Sequence, residues 1–253
     1  MQGQSALIGS LEYSPFSKIK YYPCAIEESG KLNPHKMVFQ AIGRLLGYPK
    51  RTPSSFKSQQ KTPAEGERLY IEAGYAKTRI IDSDLQTLVT LPEGISQQEW
   101  IATNAANFFH HVNLIYEVIA EFCTPRCCPT MVAFKTEFVW MDDKGRKMKN
   151  SAQQYADYVI LSGQKLLMDE RVFPTKYGKP FPRSFESLVQ KFFRHLFHIL
   201  AHIYSAHTQE IIALELHSHL NTLYVHLILF CKEFELLNTK DTAIAEHLTK
   251  HML

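Results

Sequence analysis

No stretch of this 253-residue chain holds about eighteen consecutive apolar residues, so a membrane-spanning helix is not expected. The opening Met1-Gln2-Gly3-Gln4 has no basic segment followed by an apolar one, so no secretory leader is expected either. Gly3 stands one position too late for myristoylation. Catalytic signatures are missing as well: there is no His-Glu-x-x-His, no phosphate-binding loop, no dinucleotide fingerprint and no Gly-x-Ser-x-Gly elbow. Excess charge is scarce. A formal net of +3 with 21% charged residues is too mild to imply nucleic acid by itself. Cysteine is scarce too: the five copies (Cys24, Cys123, Cys127, Cys128 and Cys231) are an odd number in a long chain and a poor disulfide framework. A reducing compartment is expected, the cytoplasm first and the nucleus second.

What is present is 45% hydrophobic and 12% aromatic residues, enough for a substantial core. Residues 1–63 mix Ser, Pro, Gly and Lys without sustained periodicity and read as a largely disordered arm. Within it, residues 37–46 have the pattern of a short amphipathic helix, and Thr52-Pro53 has the form of a proline-directed phosphorylation site. Residues 64–253 are mainly helical in pattern. A first helix is expected over 64–76, and Leu91-Pro92-Glu93-Gly94 makes a turn. Ser96 then starts a long helix whose inward stripe is Ile101, Phe108, Val112, Ile115, Ile119 and Phe122. Pro125 and Pro129 block its continuation. Val132, Phe134, Phe138 and Trp140 alternate with polar residues, and Asp143-Lys144-Gly145 turns the chain back, which predicts one two-stranded hairpin. Ser151 opens the next helix, with Tyr155, Val159, Leu166 and Leu167. An irregular loop with Pro174, Gly178, Pro180 and Pro182 follows. Ser184 is the expected N-cap of a helix that is apolar nearly all round, from Phe185 to Ile203, and so the central one. One further long helix is expected over 208–237, then a short one capped by Thr239 or Asp241. The sum is an all-α bundle with a single hairpin.

Two groups of metal-ligating residues stand out. Cys123-Thr-Pro-Arg-Cys127-Cys128 occupies a Pro-bearing loop, and His202-Ile-Tyr-Ser-Ala-His207 ends the central helix. Two thiolates and two imidazoles satisfy a tetrahedral structural Zn2+. Residues five apart lie about 140° apart around a helix axis, so both histidines reach one ion only if the helix tightens or stops between them. Ser205 and Thr208 favour such a break. Spacing does not choose between Cys127 and Cys128 as the second sulfur. Four protein ligands leave no position for water, so the site reads as structural and not hydrolytic. His217 and His219, two apart, point to different helix faces and read as ordinary helix histidines.

Taken together, these residues resemble the Mob family of kinase coactivators. The matching pieces are Leu91-Pro-Glu-Gly, Trp100-Ile-Ala-x-Asn104, Phe108-Phe109, Asn113 and Glu121-Phe122-Cys123. Further on come Phe173-Pro-Thr-Lys-Tyr-Gly178, Phe181-Pro, Ala201-His-Ile-Tyr204 and His219-Leu-Asn-Thr222. The resemblance runs from about Glu65 to about Leu248. It implies a four-helix core and places the family's zinc ligands on Cys123, Cys128, His202 and His207. It further implies a non-catalytic adaptor that binds the basic, helical N-terminal extension of an NDR/LATS-type Ser/Thr kinase and activates it. Glu99 and Trp100 match family interface positions, and Asn107 stands at a third. Ile95 and Asn107 replace acidic residues of the LATS-scaffold branch, which lowers the electrostatic share of binding. That branch carries a basic phosphopeptide patch at positions that here are Arg194, His195 and His198, grouped with Lys191 on one helix face. Two permanent charges have thus become histidines, mostly neutral at pH 7, which predicts weak or absent phosphopeptide binding. The pattern resembles the branch that partners NDR kinases in cell polarity and morphogenesis. Two other readings stand beside it: a zinc-dependent hydrolase, and a nucleic-acid-binding zinc protein that uses Arg194 and the basic arm.

Overall fold

The computed structural model describes residues 69–253, apart from Asp82, Ser83, Asp143 and Tyr177. The arm of residues 1–63, including Cys24, the 37–46 stretch and Thr52, lies outside the described residues. In its described part, the helix expected over 64–76 is a 3-10 turn (Leu69–Ile71) and a short helix α1 (Ala73–Ala76), parted by Glu72 in extended conformation. Helix α2 (Leu85–Val89) is capped by Asp84, whose side chain accepts from the Gln86 amide.

Ser96 does start the long helix α3 (Gln97–Ile119). Its hydroxyl accepts from the Glu99 amide while the Glu99 carboxylate accepts from the Ser96 amide, a reciprocal capping box. Ile101, Phe108, Val112 and Ile119 are buried as expected, and Ile115 is half-buried. Phe122 departs from the stripe and is 43% exposed. The helix has already ended at Ile119, so helical spacing no longer governs where that ring points.

The expected single hairpin is two. Strands β1 (Val132–Ala133) and β2 (Thr136–Glu137) pair antiparallel, and β3 (Trp140–Met141) pairs with β4 (Lys147–Met148). Phe134 and Lys135, both at positive φ (46° and 75°), reverse the chain inside what reads as one strand. Ser151 caps α4 (Ala152–Met168) with a second capping box, through Gln154.

Ser184 stands at the N-cap of α5 (Phe185–Ala206), but its side chain makes no cap bond. Its carbonyl accepts from the Ser187 hydroxyl and the Leu188 amide instead. As expected, α5 is central. Twelve of its residues are buried, and Phe193 stacks between Phe108 of α3 and Phe230 farther on. The long helix expected over 208–237 is broken into α6 (Thr208–Ala213) and α7 (His217–Glu233). Glu215 ends α6 at φ 57°, with the Leu216 amide returning to the Ile211 carbonyl and the Glu215 amide to Ile212. Glu235 ends α7 at φ 53° in the same way, with the Leu236 amide on the Cys231 carbonyl. Both are left-handed C-terminal caps made without glycine, so no glycine marks either stop. The cap of α8 (Thr239–Thr242) is Asn238, in a capping box with Asp241, not Thr239 or Asp241 alone. A 3-10 turn (Ala243–Ala245) leads into α9 (Glu246–Met252).

The four long helices α3, α4, α5 and α7 pack on one another. The approach is tight at Gly163 of α4, where a Cβ would stand 2.6 Å from the Phe109 ring. Asn221 of α7 ties the start of the domain to this core: its amide donates to the carbonyls of Tyr75 and Thr78, and its oxygen accepts from the Tyr204 hydroxyl. Among the described residues, no helix is long and apolar enough to cross a membrane.

A left-handed backbone costs a non-glycine residue about 1 kcal/mol or more, so Glu215→Gly is expected to stabilise the domain by about 0.5–1 kcal/mol. The chemical-denaturation midpoint should rise with an unchanged slope. A fall would show that the Glu215 side chain contributes something its exposed position does not reveal.

Candidate metal centre and the surfaces around it

The short cysteine loop after α3 and the end of α5 meet. Cys123 and Cys128, from the loop, and His202 and His207, from the helix end, place one ligand atom each within 4.8 Å of one another, and all four residues are buried. Cys128, not Cys127, supplies the second sulfur, and Cys127 is exposed. The loop is shaped by its own backbone: the Cys128 amide bonds the Thr124 carbonyl at 2.8 Å, and Cys127 faces outward as a result. At the other end α5 stops where the angular argument requires. Ala206 is its last residue, and His207 leaves the helix at φ −130°, ψ 20°. The Thr208 hydroxyl bonds back to the Tyr204 carbonyl and holds the break.

Distances test the fit to zinc. The Cys123 sulfur lies 3.4 Å from His202 Nε2, and the Cys128 sulfur 3.5 Å from His207 Nε2. A tetrahedral ion with bonds of about 2.3 Å to sulfur and about 2.0 Å to nitrogen separates such ligands by about 3.5 Å. The donor set is two thiols and two imidazoles, and the spacing matches. His202 Nδ1 donates to the Val132 carbonyl at 2.7 Å, which fixes the tautomer and leaves Nε2 bare toward the cluster. Behind His207, Glu210 stands 3.9 Å from Nδ1. The two sulfurs differ in acidity. Cys128 ionises readily, helped first by the Cys123 thiol and then by the two histidines against the cost of burial; the Cys123 thiol is pushed up, first by Cys128 and then by burial. The buried Tyr116 hydroxyl, which makes no conventional hydrogen bond, favours the Cys123 thiolate. The four donors suit a divalent cation, which they would enclose with no side left for substrate. His217 and His219 take no part in it, and His217 packs edge-on against Tyr75.

The sequence-selected surface residues fare differently. Glu99 is exposed, but its carboxylate is engaged in the capping box of α3. Trp100 is half-buried and donates its indole N–H to the Val89 carbonyl at 3.3 Å, pinning α2 to α3. Asn107 is half-buried two turns farther along, on the face of Trp100. Ile95 and Leu91 are each 37% exposed beside them.

Lys191, Arg194, His195 and His198 do not form a phosphate-facing patch. Arg194 turns away to Asp241, 2.9 Å from its carboxylate. His198 stacks on Phe138 at 3.8 Å between ring centroids and shares a 2.7 Å hydrogen bond with the Tyr155 hydroxyl. His195 lies 5.0 Å from the Trp140 ring. Only Lys191 is exposed. Burial drives both imidazoles neutral, reinforced by neighbouring positive charge, with His195 lowered to about 4 and His198 to about 3. Charge was legible in the sequence at these positions, but the aromatic cover from the hairpin was not.

The geometry defines a class: a helical domain in which a closed two-cysteine, two-histidine cluster joins the ends of two long helices. The Mob1/phocein family pattern matches residues 77–245. The chain is 53% identical over 206 residues to the human protein named MOB kinase activator 2, covering 81% of this chain and 85% of that one. Its mouse counterpart, of the same name, is 51% identical over 206 residues, covering 81% and 86%. The Drosophila melanogaster MOB kinase activator-like 2 is 42% identical over 182 residues, covering 72% of this chain but 32% of that longer protein. This chain belongs to the Mob1/phocein family. These relatives carry the name of kinase activators, not of catalysts.

Purified protein is expected to bind one zinc ion per chain. Chelation, or His202→Ala, should lower stability by several kcal/mol, whereas Cys127→Ser should leave melting unchanged. Melting unaffected by both chelation and His202→Ala would remove the metal reading. A second expectation concerns acid. His111, His195 and His226 are lowered to about 4, and His198 to about 3, each chiefly by burial. The unfolded chain takes up these protons first, near pH 6.5, so stability is full above that value and is lost progressively toward pH 4. Denaturation midpoints measured between pH 7.5 and 4.5 should show this, and His226→Leu should flatten the slope. A flat profile in the unsubstituted protein would contradict the burial of these rings.

Proposed function

We propose that this protein is a non-catalytic adaptor that binds the helical N-terminal extension of an NDR/LATS-type Ser/Thr kinase and helps to hold the kinase active. Its place is in cell-polarity and morphogenesis signalling, in the cytoplasm and also the nucleus. The observation that carries this reading is the 53% identity, over most of both chains, to a protein named as a kinase activator. The closed cluster supports a structural role for zinc: with Cys123, Cys128, His202 and His207 all engaged, the ion would brace the fold and supply no hydrolytic water.

The kinase-facing surface is assigned to the start of α3, where Glu99 is exposed and Trp100 and Asn107 share a face. Glu99 serves two purposes there. It caps its own helix and adds one negative charge that a basic partner helix meets. Ile95 and Leu91 give this surface an apolar margin, so charge contributes more to the rate of encounter than to the strength of the complex. Phosphopeptide scaffolding is weak or absent in this reading, because the two imidazoles that stand in place of permanent charge are half-buried against aromatic rings.

A pull-down with the N-terminal extension of an NDR-type kinase tests the proposal. Glutamine preserves the capping box, so Glu99→Gln should leave melting unchanged while weakening capture by about two- to five-fold, as loss of one exposed charge pair would. Equal capture by both forms would remove the interface assignment. No capture by either would remove the function.

A further inference from the structure

The metal centre is one end of a continuous chain of contacts whose other end is the last helix. His202 Nδ1 bonds the carbonyl of Val132, in β1. Two residues on, Phe134 occupies the left-handed region at φ 46°, and Lys135 follows at φ 75°. A bulky aromatic residue there is strained, by about 1 kcal/mol or more, and such conformations persist only where surrounding contacts hold them. The holding contacts are visible. The Phe134 ring meets His247 of α9 edge-on at 4.7 Å and Tyr70 at 5.5 Å, and the Tyr70 hydroxyl and His247 Nε2 share a 3.1 Å hydrogen bond. The tip of the hairpin is therefore pressed onto the junction between the first described turn of the chain and its C-terminal helix. Its base is registered by a ligand of the cluster.

We infer that the β1–β2 hairpin is a mechanical link through which metal occupancy controls the docking of the C-terminal helix. With the ion bound, His202 is fixed, Val132 is held by it, and the strained turn presents Phe134 to His247. With the ion lost, the His202 ring loses its anchor at Nε2, the Val132 bond loosens, and the strain at Phe134 favours withdrawal of the tip. Helix α9 keeps its other contacts, such as Tyr224 to Thr249 at 2.8 Å and the Arg79 guanidinium on the Met252 carbonyl. The four long helices do not depend on the hairpin tip for their packing on one another. This inference rests on the zinc reading above.

Hydrogen exchange of the full chain, resolved by peptide, tests it together with zinc content. Phe134→Gly relieves the backbone strain and removes the ring, so the variant should retain one zinc per chain. Exchange across residues 246–252 should still quicken by about ten-fold, with residues 160–168 of α4 unchanged. In the unsubstituted protein, chelation should quicken 246–252 ahead of 160–168, and in Phe134→Gly it should add no further selective change. Zinc present and α9 still protected in the variant would overturn the link alone. Uniform loss of protection on chelation would overturn it too, by showing that the ion acts on the whole fold. Protein that carries no zinc when purified would remove the metal reading and the link with it.

Discussion

Four buried ligand atoms within 4.8 Å, two of them sulfur, set the terms for the rest of this fold. Buried polar groups of this kind are tolerable only when each is satisfied, and here the groups face one another instead of carbonyls or water. A cation at their centre would resolve the problem, turning mutual crowding into coordination. The cluster joins the exit of α3 to the exit of α5, which are 79 residues apart in sequence. Two helices that would otherwise be related only by side-chain packing acquire a fixed separation at one end. Loop closure over that distance is the type of constraint that a small number of strong bonds supplies more firmly than apolar contact does.

The surface proposed to meet a kinase lies on the first half of α3, away from the ligand-bearing loop that follows its last turn. Its geometry is set by helix-start chemistry rather than by the ion. The capping box orders the first turn, and the Trp100 indole, bonded to the Val89 carbonyl, locks the preceding short helix against it. An ordered entry to a long helix is a rigid platform, which lowers the ordering cost of receiving a partner helix. A capped start and a ligand-bearing exit give this one helix two ordered termini, which is what the proposed platform needs.

Much of this was readable from the chain itself. The starts of α3 and α4 announced themselves through Ser96 and Ser151, each with a Glu or Gln three residues on. The apolar run from Phe185 marked the central helix because burial on all sides leaves no polar face. The metal ligands were visible as residue types, and angular spacing showed that both histidines reach one ion only if the helix tightens or stops between them; it stops at Ala206. The breaks at Glu215 and Glu235 were not readable, because glutamate carries no preference for the left-handed cap and tertiary packing imposes it. The second hairpin was hidden for the same reason: Phe134 and Lys135 look like strand residues. Glu99 and Trp100 were singled out for a partner, while the structure also engages each of them within the fold. Asn221 and Thr222 belonged to a recognised motif without an assigned task. Their bonds to the Tyr75, Thr78 and Ile80 backbone supply it.

The aromatic roof over His195 and His198 carries a consequence for how this surface can change. Arginine at those two positions would not by itself make a cationic face, because each guanidinium would stand against the rings of Phe138, Trp140 or Tyr155 and lose part of its water. The hairpin would have to lift first. Affinity for anions at this face therefore requires rebuilding a roof, not exchanging two side chains.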